Sequence, residues 1–139
     1  VSEGGYRLYP SSVTVPTTAE SGETVCLSHI WENLGWGYCP NNIRQWHYRY
    51  KPAFLLLDSD GKAVRTFVDR RSEPSEWIKG KPGSHSFSAD LKGIAPGKYT
   101  WAIGIADTMR GNRKGLNIAV DREHLTPEGW LKLEKVTIR

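Results

Sequence analysis

The sequence predicts an all-β fold, an immunoglobulin-like antiparallel β-sandwich of about eight to nine strands. Three observations predict it. Short runs rich in Val, Ile, Thr, Tyr, Phe and Trp recur along the chain, separated by clusters of Gly, Pro, Asn, Asp and Ser, which is the strand-and-turn rhythm of a sandwich or barrel. No alternating helices interrupt them, as a nucleotide-binding α/β fold would require. The 139 residues are enough for one domain with its own core.

The elements follow in order. Residues 6–9 read as an opening strand stopped by Pro10, and residues 13–15 as another broken by Pro16. Ser21-Gly22-Glu23 is a turn into a strand over 24–33. A long loop, 34–43, carries three turn signals. Residues 45–57 read as one strand in which Pro52 demands an edge or a bulge, because proline cannot donate to the ladder. Asp58-Ser59-Asp60-Gly61 is a hairpin turn returning into 62–69. Residues 70–83 form a second long loop, with Trp77 in it. A strand over 85–91 and the tight turn Ala95-Pro96-Gly97 lead into 98–107. There Tyr99, Trp101, Ile103 and Ile105 share one face, and Thr100, Ala102, Gly104 and Ala106 line the other. A basic loop, 108–115, precedes closing strands at 116–120 and 130–138. The one helix-like stretch, 126–130, is at most a turn.

Composition narrows the function classes. The formal charge is +4, from 19 Lys and Arg against 15 Asp and Glu. The short basic clusters, Arg70-Arg71 and Arg110 to Lys114, fall short of the dense stripe of a nucleic-acid binder, so no nucleic-acid partner is expected. No apolar run reaches the roughly 20 residues that span a bilayer, and no membrane partner is expected. The chain opens Val1-Ser2-Glu3-Gly4-Gly5 without an initiator Met, and residues 1–139 are read as a single domain excised from a longer protein. Cys26 and Cys39 could close one disulfide or stay as two thiols; two cysteines alone make neither a disulfide framework nor a zinc site.

Catalytic motifs are missing. There is no phosphate-binding Gly-rich loop, HExxH or GxSxG. Asp58-Ser59-Asp60-Gly61 fails as a calcium loop, since Lys62 and Ala63 follow where a ligand and a glycine are needed. None of His29, His47, His85 and His124 is paired at metal-ligand spacing, and no cofactor or metal is expected. Glu73, Glu76 and Asp107 are loop carboxylates, but glycoside hydrolysis needs two held about 5–10 Å apart across a cleft. The domain is read as a non-enzyme.

The aromatic residues carry the information. Six Trp and six Tyr in one small domain exceed what a sandwich core uses. Trp101 and Tyr99 are assigned to the core, Trp130 to packing, and Trp46, Tyr48 and Tyr50 to one strand face. Trp36, Tyr38 and Trp77 lie in long loops instead. Sugar rings present an apolar C–H face that packs on indole and phenol, and aromatics are enriched at recognition surfaces. Trp36, Tyr38 and Trp77 are therefore candidate stacking residues. Asn42, Arg44 and Arg110 are candidate polar contacts, with Asn41, Asn112 and Arg113 beside them.

At this point a resemblance enters. Trp31-Glu32-Asn33-Leu34-Gly35 followed by Pro40 resembles the W-x-N-x-G…P pattern of an immunoglobulin-like domain of unknown function. That domain sits C-terminal to barrel-type glycoside-hydrolase-like domains in secreted bacterial proteins. Leu57 to Gly61 resembles its hairpin, and Asp69 with Trp77, Pro82 and Gly83 resembles its D…W…PG loop. Pro96-Gly97-Lys98-Tyr99 leading to Gly104-Ile105-Ala106-Asp107, and then Asn117-Ile118-Ala119, resemble its later elements. The likeness covers residues 24–139, and departs in a longer loop after Gly35 with extra aromatics. It implies a secreted or cell-surface bacterial protein with a catalytic domain in the same chain, and it brings no catalytic residues.

The reading that follows is a monomeric, non-catalytic carbohydrate-binding module of a secreted polysaccharide-degrading enzyme. Its partners would be a polysaccharide, neutral or anionic, and that catalytic neighbour. The alternative is a structural sandwich that packs on the catalytic barrel and binds nothing. A protein-interaction module ranks third and an enzyme last.

Overall fold

The computed structural model describes residues 5–139, so the first four residues lie outside it. Nine strands alternate with loops: β1 (Leu8–Thr14), β2 (Thr18–Ala19), β3 (Thr24–Asn33), β4 (Tyr50–Leu57), β5 (Ala63–Val68), β6 (Gly83–Asp90), β7 (Gly97–Asp107), β8 (Arg113–Leu116) and β9 (Leu131–Ile138). Three short 3₁₀ turns, Pro40–Asn42, Pro74–Glu76 and Arg122–His124, lie in the loops. One sheet has the order β1-β3-β6. The other has the order β2-β9-β7-β4-β5, with β8 also on β7. All pairings are antiparallel except the two-residue β2 on β9. The fold is the immunoglobulin-like sandwich expected.

Alternation decides what lies between the sheets. On β3, Val25, Leu27, His29, Trp31 and Asn33 point inward and are buried. Phe54 and Leu56 from β4 and Trp101, Ile103 and Ile105 from β7 meet them in the main core. The opposite face of β7 is small, and Trp130 covers it. A Cβ on Gly104 would lie 2.7 Å from the Trp130 ring, so the close packing depends on that glycine. With Ala53, Leu55, Leu57, Ala102 and Ala106, Trp130 forms a second apolar cluster outside the sandwich. Burying an apolar side chain of this size contributes about 2 kcal/mol.

The structure departs from expectation at several elements. The 6–9 and 13–15 runs are one strand, β1, because it lies at a sheet edge and a bulge between Pro10 and Ser12 absorbs the proline. Residues 45–49 are not strand. His47 and Tyr48 have φ of 52° and 55°, a left-handed turn that breaks the alternation, so Trp46, Tyr48 and Tyr50 share no strand face. Pro52 lies in β4 between β5 and β7, and is tolerated for a local reason. Its carbonyl, on the β5 side, accepts from the Asp69 N–H at 3.0 Å, just past the last β4–β5 pair, Ala53↔Val68. The missing N–H therefore falls where the ladder has ended. The 116–120 strand is replaced by β8, and residues 117–130 form a loop over the sheet. Asp58 makes its hairpin turn as expected, its Oδ1 accepting from the Asp60 and Lys62 N–H groups.

Cys26 and Cys39 form no disulfide. Cys26 is exposed on the outer face of β3, whereas Cys39 is buried in the main core. They lie on opposite sides of a sheet, and a bridge would require their side chains to converge.

The long loop 69–82 is fastened by Trp77, which is 1% exposed and stacks on Trp31 with centroids 5.2 Å apart and planes 8° from parallel. Gly83 makes room for it, since a Cβ there would lie 2.0 Å from the Trp77 Nε1. Because both indoles are sealed in, Gly83→Ala is expected to destabilise the domain by about 3 kcal/mol. Urea unfolding of the variant, read by Trp fluorescence, checks this, and an unchanged midpoint would show that Trp77 has room to move.

Candidate functional site

β3, β5 and β7 finish at the end of the sandwich where β1, β4 and β6 begin. The loops 34–49, 69–82 and 108–112 therefore converge on that end. Among the described residues, the large hydrophobic side chains left exposed concentrate there. All but Tyr9 and Val64 belong to these three loops.

Asn33 organises the end. It is buried at the last position of β3, and its side chain makes four hydrogen bonds. Oδ1 accepts from the Arg7 N–H at 3.0 Å and the Gly35 N–H at 2.9 Å. Nδ2 donates to the Gly37 carbonyl at 2.7 Å and the Trp77 carbonyl at 3.0 Å. The Gly37 N–H adds a bond to the Gly5 carbonyl at 2.8 Å. Gly35 packs so closely that a Cβ would lie 2.2 Å from that same carbonyl. Trp36 sits between the two glycines, tied on both sides. It is 87% exposed.

Other contacts tie the loops to one another. Asn41 is fully buried, donates to the Tyr50 carbonyl at 2.8 Å and to Glu73 at 2.9 Å, and accepts from the Tyr50 N–H at 2.9 Å. Glu73 also pairs with Lys51 at 3.1 Å. Asp107 takes a bidentate pair from Arg49 at 2.9 and 2.7 Å and the Met109 N–H at 3.0 Å, holding loop 108–112 against 34–49. For both carboxylates burial acts to raise the pKa. Hydrogen bonds from Ser75 and the Lys51 charge outweigh it for Glu73, and the Arg49 contacts outweigh it for Asp107, so both lie below the usual range. A glycosidase general acid needs the opposite shift.

Beneath the loops runs a buried polar chain. The Trp31 Nε1–H donates to His29 Nδ1 at 2.8 Å, so the ring carries its proton on Nε2 and donates it to Asp69 at 2.9 Å. Ser72 Oγ donates to the same Asp69 oxygen at 2.7 Å. Burial acts to raise Asp69, but the His29 and Ser72 hydrogen bonds hold its carboxyl below the usual range. The Trp77 Nε1–H donates to His85 Nε2 at 3.2 Å. Burial, with His29 nearby, lowers the His85 imidazole, against the opposing pull of Asp69 and Glu76.

The predicted site residues divide accordingly. Trp36 and Tyr38 project outward, Tyr38 at 48% exposure. Asn42, Arg44 and Arg110 are exposed on loops at the same end. Trp77 is the correction: it is sealed against Trp31, in the room that Gly83 leaves by having no side chain, and is available to no ligand. Sequence reasoning missed Tyr48, left exposed by its left-handed turn. It also missed Lys79, whose Nζ lies 4.2 Å from the centroid of Trp36. The Lys79-Gly80 turn signal was there to be read; its contact with Trp36 was not. Exposed Asp121, Glu123 and His124 are close enough together to gather a cation, but they lie on the β8–β9 loop, outside this cluster.

No protein-family model matches the chain, and no curated protein matches it. Solved structures do. The chain is similar to the CARDB domain of a Pyrococcus furiosus protein, solved in complex with di-metal ions, at 10% identity and a TM-score of 0.52, covering 99% of this chain and 97% of that one. It is also similar to the C-terminal domain of wzt, at 14% identity and a TM-score of 0.52, covering 96% and 70%. At such identities the likeness shows the immunoglobulin-like fold alone.

Two outcomes are expected. Asn33→Ala strands two carbonyls and two N–H groups and should cost about 3 kcal/mol or more, measured by urea unfolding; a loss under about 1 kcal/mol would mean water replaces the side chain. The second concerns pH. The folded His85 pKa lies below its unfolded value, so the unfolded chain binds the proton first and stability falls as pH drops below about 6.5. The folded Asp69, Glu73 and Asp107 pKa values are also lowered, so their contribution is present above the unfolded carboxylate range, about pH 4, and lost below it. Melting curves from pH 8 to 3 should show both stages. His85→Gln, which can still accept from Trp77, should lack the first.

Proposed function

We propose that this domain is a non-catalytic carbohydrate-binding module, part of a secreted or cell-surface enzyme that degrades polysaccharide, and that it takes its ligand at the Trp36 end. The observation that carries the reading is Trp36 itself. An indole left 87% exposed on a loop held by buried hydrogen bonds loses little freedom when a sugar packs on it, which is how preorganised sites limit the cost of binding. Tyr38 offers a second ring on the same loop. Asn42, Arg44 and Arg110 supply donors at the same end for sugar hydroxyls. Trp77 acts from below, as the support on which the loops rest. The domain's fold-level likeness to the CARDB domain and the wzt C-terminal domain is compatible with this role.

A second reading is favoured by the apolar character of the same end. Leu34, Ile78 and Met109 are exposed there with the aromatics, and such a surface also suits packing against a neighbouring domain. In that case the domain is a structural accessory and binds no glycan.

Electrophoresis through native gels containing neutral and anionic polysaccharides separates the two readings. Under the first, at least one polysaccharide retards the chain, and Trp36→Ala weakens the affinity at least tenfold with no change in unfolding midpoint, since the ring is exposed. Absence of retardation across the panel would favour the scaffold.

A further inference from the structure

Trp36 is one half of a pair whose other half comes from a different loop. Residues 78–81 form a tight turn, closed by a bond from the Lys81 N–H to the Ile78 carbonyl at 2.9 Å and made possible by Gly80 at a φ of +85°. Lys79 occupies its tip, and its ammonium rests 4.2 Å from the centroid of the Trp36 ring. The Trp77 and Asn33 contacts fix the base of this loop, so the meeting of Lys79 with Trp36 is built into the packing.

The charges around the pair are unbalanced. Arg49 is neutralised by Asp107 and Lys51 by Glu73. Arg110 reaches the same Asp107 carboxylate only at 3.8 Å, with most of its side chain exposed. Among the described residues no carboxylate stands within ion-pair distance of Arg44, Lys79 or Lys81. Glu76, exposed on the same loop as Lys79, is also in no ion pair among the described residues, but with Arg44, Lys79, Lys81 and Arg110 against it the converging loops leave positive charge in excess at the end that displays the exposed indole.

We propose that Lys79 makes this site selective for glycans that carry an anionic substituent, a carboxylate or a sulfate, on the sugar unit that stacks on Trp36. The inference rests on the glycan-binding reading and names its ligand class. In the free domain the ammonium is held over the indole by the ring's negative face. A sugar packing its C–H face on the same ring competes for that position. The lysine, on its flexible four-carbon stem, then turns to the substituent at the ring's edge. An anionic sugar replaces the lost cation–π contact with an ion pair. A neutral sugar replaces it with nothing of equal strength. Lys79 therefore both penalises neutral chains and rewards charged ones, which is how specificity is commonly built.

The test uses two pairs of polysaccharides, each sharing a backbone and differing in charge: polygalacturonate with its methyl ester, and dextran sulfate with dextran. The first pair reports on a carboxylate and the second on a sulfate. Affinity electrophoresis is run on the chain, Lys79→Gln, Lys79→Arg and Trp36→Ala. The charged member of at least one pair should bind at least tenfold more tightly than its neutral partner, less so at high salt. Lys79→Gln should lose that preference, Lys79→Arg should keep it, and Trp36→Ala should lose binding. Equal, Trp36-dependent retardation by both members of each pair overturns this inference and leaves the glycan reading standing. A charge preference unaffected by Lys79→Gln overturns it too, as does binding that survives Trp36→Ala, which is charge attraction without stacking. No retardation by these or by the wider panel removes the glycan reading and this inference together.

Discussion

The stack of Trp77 on Trp31 is the contact on which the functional end depends. It joins β3, an inner strand of its sheet, to a loop of more than a dozen residues that has no ladder of its own. Two indoles in parallel contact bury a large apolar area and gain about 1 kcal/mol beyond it. Each ring's N–H then needs an acceptor, since an unpaired buried donor is costly. His29 and His85 provide one each. Those histidines accept through a ring nitrogen, and the other nitrogen of His29 draws Asp69 and Ser72 into the same chain of bonds. One packing choice thus propagates into a buried polar network and a sensitivity to acid.

The display of Trp36 follows from the same construction. Asn33, two residues beyond Trp31, is held at the mouth of the sandwich, where four backbone groups from three segments lack strand partners. Its amide satisfies all four. An aspartate could accept but not donate, and a leucine could do neither. The loop that results is tied at Gly35 and Gly37 and displays the residue between them. Burial of one tryptophan and exposure of another are two consequences of one arrangement.

The charges of this end are divided between structure and surface. Glu73 and Asp107 are drawn into paired, hydrogen-bonded positions that lower their pKa values and tie loops together. The basic residues left over, Arg44, Lys79 and Lys81, face solvent at the same end as the exposed aromatic rings, with Lys79 over Trp36. A net charge of +4 over the whole chain says little about recognition. The local surplus left after Glu73 and Asp107 have been used in ion pairs, with Glu76 still exposed beside it, says more.

Read alone, the sequence determined the sandwich, most of its strands and the two faces of β7, because alternation and turn residues act locally. Trp101 in the core, Trp130 as a packing residue and the Asp58–Gly61 hairpin all follow from such short-range rules. The sequence also marked the aromatic loop at Trp36 and Tyr38 and the ordered string of motifs from Trp31 to Asp107. What it left open was which loop aromatics are buried, because a loop has no period to show its inward side. Trp77 and Trp36 carry similar local signals, a large ring among turn residues, yet one is sealed and the other displayed. Only tertiary structure decided between them, by placing Trp31 and a side-chain-free Gly83 around the first and leaving the second outside. It likewise decided where residues 45–49 turn and that Lys79 meets Trp36. Both depend on contacts between segments far apart in the chain, where no local propensity reaches.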